Sequence, residues 1–427
     1  MLLIYTSTTT SRLKYIFKHC CTRLLGLPVD FTAKIETFVA YAGPKLSYTN
    51  KKLGDELHIK SAALLFQQGV QPTEIKIGDW VGIPAFFSTN NHSAIPYDIF
   101  AASFYLLTRY EEYLPHVKDV KGRYPARASL AYQHNFLDKP LVDIWLQRFK
   151  EVLLKFYPDL KLQNKKTRNT LLVQVHRAFA YKNVGIVAAA GGFFKDLIGL
   201  RVKHIVHRAQ VLLLLKKDPN AIYKWLVQVQ KRATNHKMQV YFALGDYTSI
   251  NRVIRHSKLP LQRVIKMIND YCDVGLLASI SSTSNPIALK EEKKRFEEIS
   301  LRPLRKVNVY EGSFQIPISY QNFLEEEITD DYSMVFPETF GFRASTCSSY
   351  KFYDLIQETQ TPLDVHPPCL SIDQVFDAPK KTLDVLHINK LQREIQKVGG
   401  DLILVFTNVS LAHTTARDLF KKMLLNE

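Results

Sequence analysis

From residue 169 to residue 425 short apolar runs alternate with longer stretches of helical spacing, and this alternation restricts the possible folds more than any other feature. Residues 169–175, 239–244, 274–280, 307–310 and 402–406 read as strands, with 340–344 a shorter candidate. Residues 259–271, 286–299, 317–326, 382–398 and 410–425 place apolar side chains at helical spacing. Two strands joined through a helix pair in parallel, because the helix returns the chain to the edge it left. The expected fold class is therefore α/β, a parallel barrel or an open sheet. In such folds the chemistry sits at the carboxyl ends of the strands, so the residues there are the first to read.

Residues 1–160 are patterned differently. Residues 2–6 read as a strand. Residues 11–25 read as a helix with Leu13, Ile16, Phe17, Cys20 and Leu24 on one side, stopped by Gly26 and Pro28. Residues 38–42 and 80–87 read as short strands. Residues 97–113 and 140–156 read as helices, the first through Ile99, Phe100, Phe104, Leu107 and Tyr110, the second through Ile144, Trp145, Phe149, Leu153 and Phe156. A chain of 427 residues exceeds one ordinary domain. The expected division is a smaller α/β domain over 1–160 and a larger one over 165–427, with the basic stretch 161–168 between them.

The charge balance is +17, from 57 basic and 40 acidic residues. The basic residues are dispersed rather than gathered into tracts, which predicts a solvated basic surface and no nucleic acid partner; an anionic partner is the alternative reading. Five cysteines, Cys20, Cys21, Cys272, Cys347 and Cys369, form no C-x-x-C pair, so neither a disulfide framework nor a structural zinc cluster is expected. The first residues lack the basic lead of a signal peptide, and no apolar run is long enough to span a bilayer. The expected location is cytoplasmic, in a chain without a transmembrane segment.

No phosphate-binding glycine loop and no H-E-x-x-H occurs. Gly191-Gly192 is a lone pair, and Gly399-Gly400 reads as a helix C-cap. The run Ser281-Ser282-Thr283-Ser284-Asn285 before Pro286 reads as a loop and N-cap. His176 has seven conceivable histidine partners for a metal: His204, His207, His236, His256, His366, His387 and His413. His204 and His207 lie in a basic helical stretch, and a solvated face explains them. Cys347 and Cys369 read as small buried residues rather than nucleophiles.

The strand end Leu172-Val173-Gln174-Val175-His176-Arg177 resembles the Asp-x-Asp strand end of bacterial polysaccharide deacetylases of the NodB-homology, family-four carbohydrate esterase kind. The segments Asp331-Tyr332-Ser333-Met334 and Gly341-Phe342-Arg343-Ala344-Ser345-Thr346-Cys347 are similar to the same family. Residues 97–113 and Arg123-Tyr124-Pro125-Ala126-Arg127 resemble an N-terminal extension found in a bacterial branch of it. The resemblance implies a distorted (β/α) barrel of the NodB-homology kind preceded by the smaller α/β domain. It implies a hydrolase that uses zinc or another divalent ion.

The resemblance also implies which groups are altered. Gln174 stands at the general base and His176 at a metal-binding Asp. In Val274-Gly275-Leu276-Leu277-Ala278-Ser279, Leu277 stands at a ligand His; in Phe406-Thr407-Asn408, Thr407 stands at the catalytic acid His. Asn308-Val309-Tyr310 stands where an Arg-x-His pair is expected. An amide, a leucine and a threonine cannot supply base, ligand and acid, so metal and catalysis are expected to be lost. Arg343, Asp373 and Asp331 still match, and Arg343 with Asp373 reads as a structural ion pair or cap. The expected function is deacetylase-like glycan binding or a structural role in cell-surface polysaccharide metabolism. One alternative is an active carbohydrate N- or O-deacetylase using His176, Asp246 or Asp273 as substitutes. Another is a scaffold that binds an anionic partner, with Phe179, Tyr181, Tyr310 and Tyr350 as candidate stacking surfaces.

Overall fold

A computed structural model describes residues 1–183, 197–199, 202–233, 237–246, 254–377 and 382–425. His236 and Gly191-Gly192 lie outside the described residues. The chain divides into two compact units. The first comprises Met1–Arg168, Met334–Cys369 and Asn389–Leu402; the second comprises Asn169–Ser333, Leu370–Ile388 and Ile403–Glu427.

The first unit carries a four-stranded parallel sheet of β1 (Leu2–Tyr5), β2 (Val29–Thr32), β3 (Lys45–Thr49) and β4 (Leu57–Lys60), in the order β2-β1-β3-β4. Helix α1 (Ser11–Phe17) is capped by the Thr10 hydroxyl and continues as a wider helical segment, Lys18–Leu24. Residues 38–42 are not a strand: helix α2 (Ile35–Ala40) takes the first three of them and buries Phe38. Over 80–87 only the two-residue strand Pro84–Ala85 forms, paired antiparallel with Gly78–Asp79. Helix α3 (Ile99–Leu107) is buried along its whole length, and Asp98 caps it by accepting from Phe100 N and Ala101 N. The helix expected over 97–113 is broken, because Arg109 takes a left-handed φ of 54° before the short helix Tyr110–Tyr113. Helix α4 (Leu141–Phe156) follows the expected bounds and buries Trp145, Phe149 and Leu153. Later segments add the antiparallel hairpin of Tyr350–Asp354 with Thr359–Val365. Residues 340–344 form no strand.

The second unit is a larger parallel sheet. Its strands are β5 (Arg168–Val175), β6 (Lys237–Phe242), β7 (Asp273–Ala278), β8 (Lys306–Val309), β9 (Asp330–Asp331), β10 (Leu370–Ser371) and β11 (Asp401–Thr407), in the order β9-β8-β7-β6-β5-β11-β10. Every pairing recorded along this run is parallel. Helices α5 (Val202–Leu212), α6 (Tyr223–Gln230), α7 (Leu259–Asn269), α8 (Pro286–Ser300), α9 (Ile318–Glu325) and α10 (Thr414–Leu425) alternate with the strands. Asn285 caps α8, accepting from Ile287 N and Ala288 N, with Pro286 in its first turn. The region expected as one helix over 382–398 starts as strand Thr382–Leu383 and becomes helical at Val385–Val398, where Gly399 ends it with φ 69°.

The sheet of the second unit is rolled. Strands β5 and β8 are three pairings apart, about 14 Å in a flat sheet. Yet the Gln174 and Asn308 side chains, one from each, meet at 2.6 Å. Gln239 of β6 likewise donates to the hydroxyl of Tyr332, just past β9, at 3.0 Å. Only curvature toward this face brings such residues together. The face itself is filled by Leu172, Tyr241, Ala243, Leu277, Tyr332, Ile403 and Val405. Gly275 makes room for Tyr241, since a Cβ there would lie 2.6 Å from Tyr241 Cε1 and 2.7 Å from Lys306 O.

Candidate functional site

The carboxyl ends of β5, β8 and β11 bring a small polar group above that apolar layer. Period-two alternation along β5 puts Leu172 and Gln174 on one side, so Gln174 stands over the buried Leu172, and His176 follows just past the strand end. Gln174 Nε2 donates to Asn308 Oδ1, and Asn308 Nδ2 donates to Tyr332 O at 2.5 Å. Asn308 is buried, so each of its amide atoms has a partner where water cannot supply one. His176 stacks on Tyr310, with ring centroids 4.0 Å apart and planes 12° from parallel. Burial pushes the Tyr310 phenol up to about 12, with neighbouring Glu311 adding to the shift, so it remains a neutral hydroxyl.

At β11 the Thr407 hydroxyl donates to Asp373 Oδ1 at 3.2 Å, while Ser410 closes a turn on Thr407 through its own N–H at 3.0 Å. Asn408 N donates to Gln174 O, and Asn408 Nδ2 donates to Arg177 O at 2.9 Å. The backbone of 180–182 is fixed by a residue the sequence did not flag. The Asp218 carboxylate accepts from Ala180 N, Tyr181 N and Lys182 N at 2.8, 2.9 and 3.1 Å.

Leu277 is fully buried within the apolar layer. Asp331 is also fully buried; it accepts from the Tyr320 hydroxyl at 2.8 Å and from Ser333 N at 3.1 Å. Arg343 does not pair with Asp373. Its guanidinium grips Glu112 in the first unit at 2.7 and 3.0 Å, since a buried Arg requires a carboxylate within its own packing environment. The substitute ligands do not gather around His176. Asp273 opens β7, at the opposite end of the strands, and pairs with Lys306 at 2.6 Å. Asp246 pairs with Arg295 at 3.0 Å. Two of the candidate stacking aromatics fill core instead: Phe179 is buried against Tyr223, and Tyr350 is buried. Tyr181 is half-buried beneath Arg208, and Tyr310 is the ring beside His176.

All five cysteines are buried. Burial pushes the thiols of Cys21 and Cys272 up to about 12, the latter with help from Asp273, which makes neither a thiolate nucleophile. Among the described residues, no three His, Cys, Asp or Glu side chains are placed to hold a metal ion. No described helix is long and apolar enough to cross a membrane.

Residues 2–158 match a family model described as a family of unknown function, DUF7033. No curated protein matches the chain. Among solved structures, a protein from Mycobacterium smegmatis assigned as a polysaccharide deacetylase is similar at 11% identity and a TM-score of 0.40, over 62% of this chain and 84% of that one. A mutant of a CE4 family pseudoenzyme with restored enzymatic activity is similar at 9% identity and a TM-score of 0.30, over 62% and 63%. The polysaccharide deacetylase Bc1974 from Bacillus cereus is similar at 8% identity and a TM-score of 0.29, over 61% and 86%.

Proposed function

We propose that this chain is a polysaccharide deacetylase-like protein, built on a distorted (β/α) barrel, whose strand ends bind a glycan without hydrolysing it. The observation that carries the reading is the Gln174–Asn308 amide bridge at 2.6 Å. Gln174 occupies the position that the motif resemblance gives to the general base. A carboxamide takes no proton from water near neutral pH, and this one already donates into a buried partner. The donor set around it does not fit a divalent metal, which needs three or more converging N, O or S ligands. Leu277 offers none, Thr407 donates its hydroxyl to Asp373, and His176 stacks face to face on Tyr310.

What remains suits a neutral, hydroxyl-rich ligand. Amides and hydroxyls donate and accept without charge, and stacked rings give flat apolar surface to a sugar face. Arg343, Asp331 and Asp373 serve packing and loop closure in this reading. The test is the metal content of the purified chain, its turnover of an acetylated glycan, and its retention on a glycan array at low and moderate salt. Glycan retention with neither metal nor turnover is the expected result. Stoichiometric zinc, or turnover that chelation abolishes, refutes the loss of catalysis. No retention at either salt refutes the binding role.

A further inference from the structure

Helix α5 turns its apolar side outward. At 3.6 residues per turn Val202, Ile205, Val206, Ala209, Leu212 and Leu213 fall within an arc of about 120°. Ile205 is half-buried and the other five are exposed. The opposite side faces the protein: Val211 is fully buried, His207 meets the Tyr181 ring edge-on at 5.8 Å, and the Arg208 guanidinium lies 5.0 Å over that ring. A helix on a soluble surface ordinarily buries its apolar stripe, and α5 leaves most of its stripe exposed.

The apolar surface continues past the helix. Leu213, Leu214 and Leu215 are 69%, 76% and 73% exposed, and Leu214 holds a left-handed φ of 63° where glycine is the usual residue. Lys216 N closes the helix end on Gln210 O at 3.1 Å, and Lys216 and Lys217 follow, both exposed. From 202 to 217 the sequence contains Lys203, Arg208, Lys216 and Lys217 and no acidic residue, in a chain of net charge +17.

Four adjacent exposed leucine side chains beside exposed lysines need a partner that is apolar inside and negative at its edge. A bilayer with anionic headgroups is both: it takes the leucines below the headgroup level and the lysines at it. We propose that residues 202–217 form an in-plane anchor that docks the second unit on an anionic lipid surface. This goes beyond the glycan reading and does not depend on it.

The experiment is co-sedimentation of the full chain with phosphatidylcholine vesicles, with and without a quarter of phosphatidylglycerol. Binding is expected only with the anionic lipid and falls at high salt. Leu213→Ser/Leu214→Ser/Leu215→Ser and Lys216→Glu/Lys217→Glu are each expected to lower partitioning at least about tenfold. All of these residues are exposed, so the urea midpoint should not move; the lysine variant stands alone as a test where the leucine variant does not fold. No binding by the folded parent chain overturns the proposal, as does equal binding to both vesicle types or binding that neither variant weakens. Self-association abolished by the leucine variant, without vesicle binding, assigns the surface to a second copy and also overturns it.

Discussion

Replacing Glu112 by Gln tests whether the buried ion network of the first unit governs its stability. Arg109, Glu111, Glu112 and Arg343 form a set of two positive and two negative groups. Arg109 Nε lies 2.8 Å from Glu112 Oε1, Arg109 Nη2 2.7 Å from Glu111 Oε1, and Arg343 Nη2 2.7 Å from Glu112 Oε2. The side chains of Arg109 and Arg343 are 1% exposed and that of Glu112 is 2% exposed. Burial pushes the Glu112 carboxyl up, but Arg343 and Arg109 more than offset it and hold it below the usual carboxylate range. Glu111 goes the other way, because burial outweighs Arg109.

Glu112→Gln keeps the shape and removes one negative charge, leaving two guanidiniums facing one carboxylate out of water. Breaking a buried pair in this way costs about 3–5 kcal/mol. Total stability of a domain is about 5–15 kcal/mol, so the unit should unfold at a much lower urea concentration. Trp80 and Trp145 lie in the first unit and Trp225 in the second, so in a Trp225→Phe background tryptophan fluorescence reads the first unit directly. Glu112→Gln with Arg343→Met restores neutrality around Arg109 and Glu111. The double variant should therefore lose less than the two single losses added, with a coupling of about 2 kcal/mol. The pH dependence has a definite sign. The folded carboxyl titrates below its ordinary value of 4.5, so its contribution is complete above that pH and is lost as pH falls through the folded value. The gap between parent and Glu112→Gln should shrink in acid. A loss under about 1 kcal/mol, or single losses that add within about 0.5 kcal/mol, refutes the argument.

His19 is buried, and desolvation, then the positive charges of Arg23 and Lys165, lower its pKa from 6.5 to about 3. A depressed histidine stabilises fully above 6.5, and that contribution is lost as pH falls toward 3. His19→Phe should therefore flatten the fall of the urea midpoint across that window, and an unchanged slope would exclude His19 as its source. Gly275→Ala should destabilise by about 1–3 kcal/mol, because its Cβ meets a backbone carbonyl that cannot step aside; a neutral melt would mean that the strand shifts. Gln174→Asp with His176→Asp and Leu277→His should bind zinc in a calorimetric titration, at a stability cost of about 1–3 kcal/mol for each polar group left unsatisfied among Tyr241, Tyr332 and Leu172. Hydrolysis should need Thr407→His in addition, as an acid for the leaving amine. A folded triple variant that binds no metal would show that the residue correspondence behind the proposed function is wrong in detail.

Much of the strand and helix alternation was legible because buried parallel strands are short apolar runs, and 168–175 and 401–407 are such runs. Elements with one apolar anchor were not. Phe38 is the only buried residue of α2, and five residues around one phenylalanine carry no period to separate helix from strand. The break at Arg109 was hidden for a different reason. Residues 97–113 have helical spacing throughout, and the chain leaves it because a left-handed Arg109 sends its guanidinium to Glu111 and Glu112. Residues 340–344 look like a strand by composition, but Gly341 at φ 128° lies against Leu137 O, where a Cβ would come within 2.5 Å, and Arg343 turns into the ion network. Nothing in the sequence indicated that Met334–Cys369 and Asn389–Leu402 group with the first unit.

The candidate site divides along the same line. Alternation within β5 puts Leu172 and Gln174 on a common side, and that much follows from the period of two. That Gln174 meets Asn308, 134 residues later, depends on how sharply four strands roll. Roll is set by the volumes packed under the sheet, and here the absent Cβ of Gly275 lets the Tyr241 ring lie across β7. The pairing of charges follows the same logic. Asp373 and Arg343 have opposite signs and lie 30 residues apart (373 − 343), yet each takes another partner, Thr407 for one and Glu112 for the other. The buried Arg343 is satisfied by whatever acceptor the topology brings within about 3 Å, and sequence distance has no bearing on that. The Gln174 and Thr407 positions should therefore be probed together with Asn308 and Asp373, because a substitution at any one of them leaves its partner's hydrogen bond to be remade.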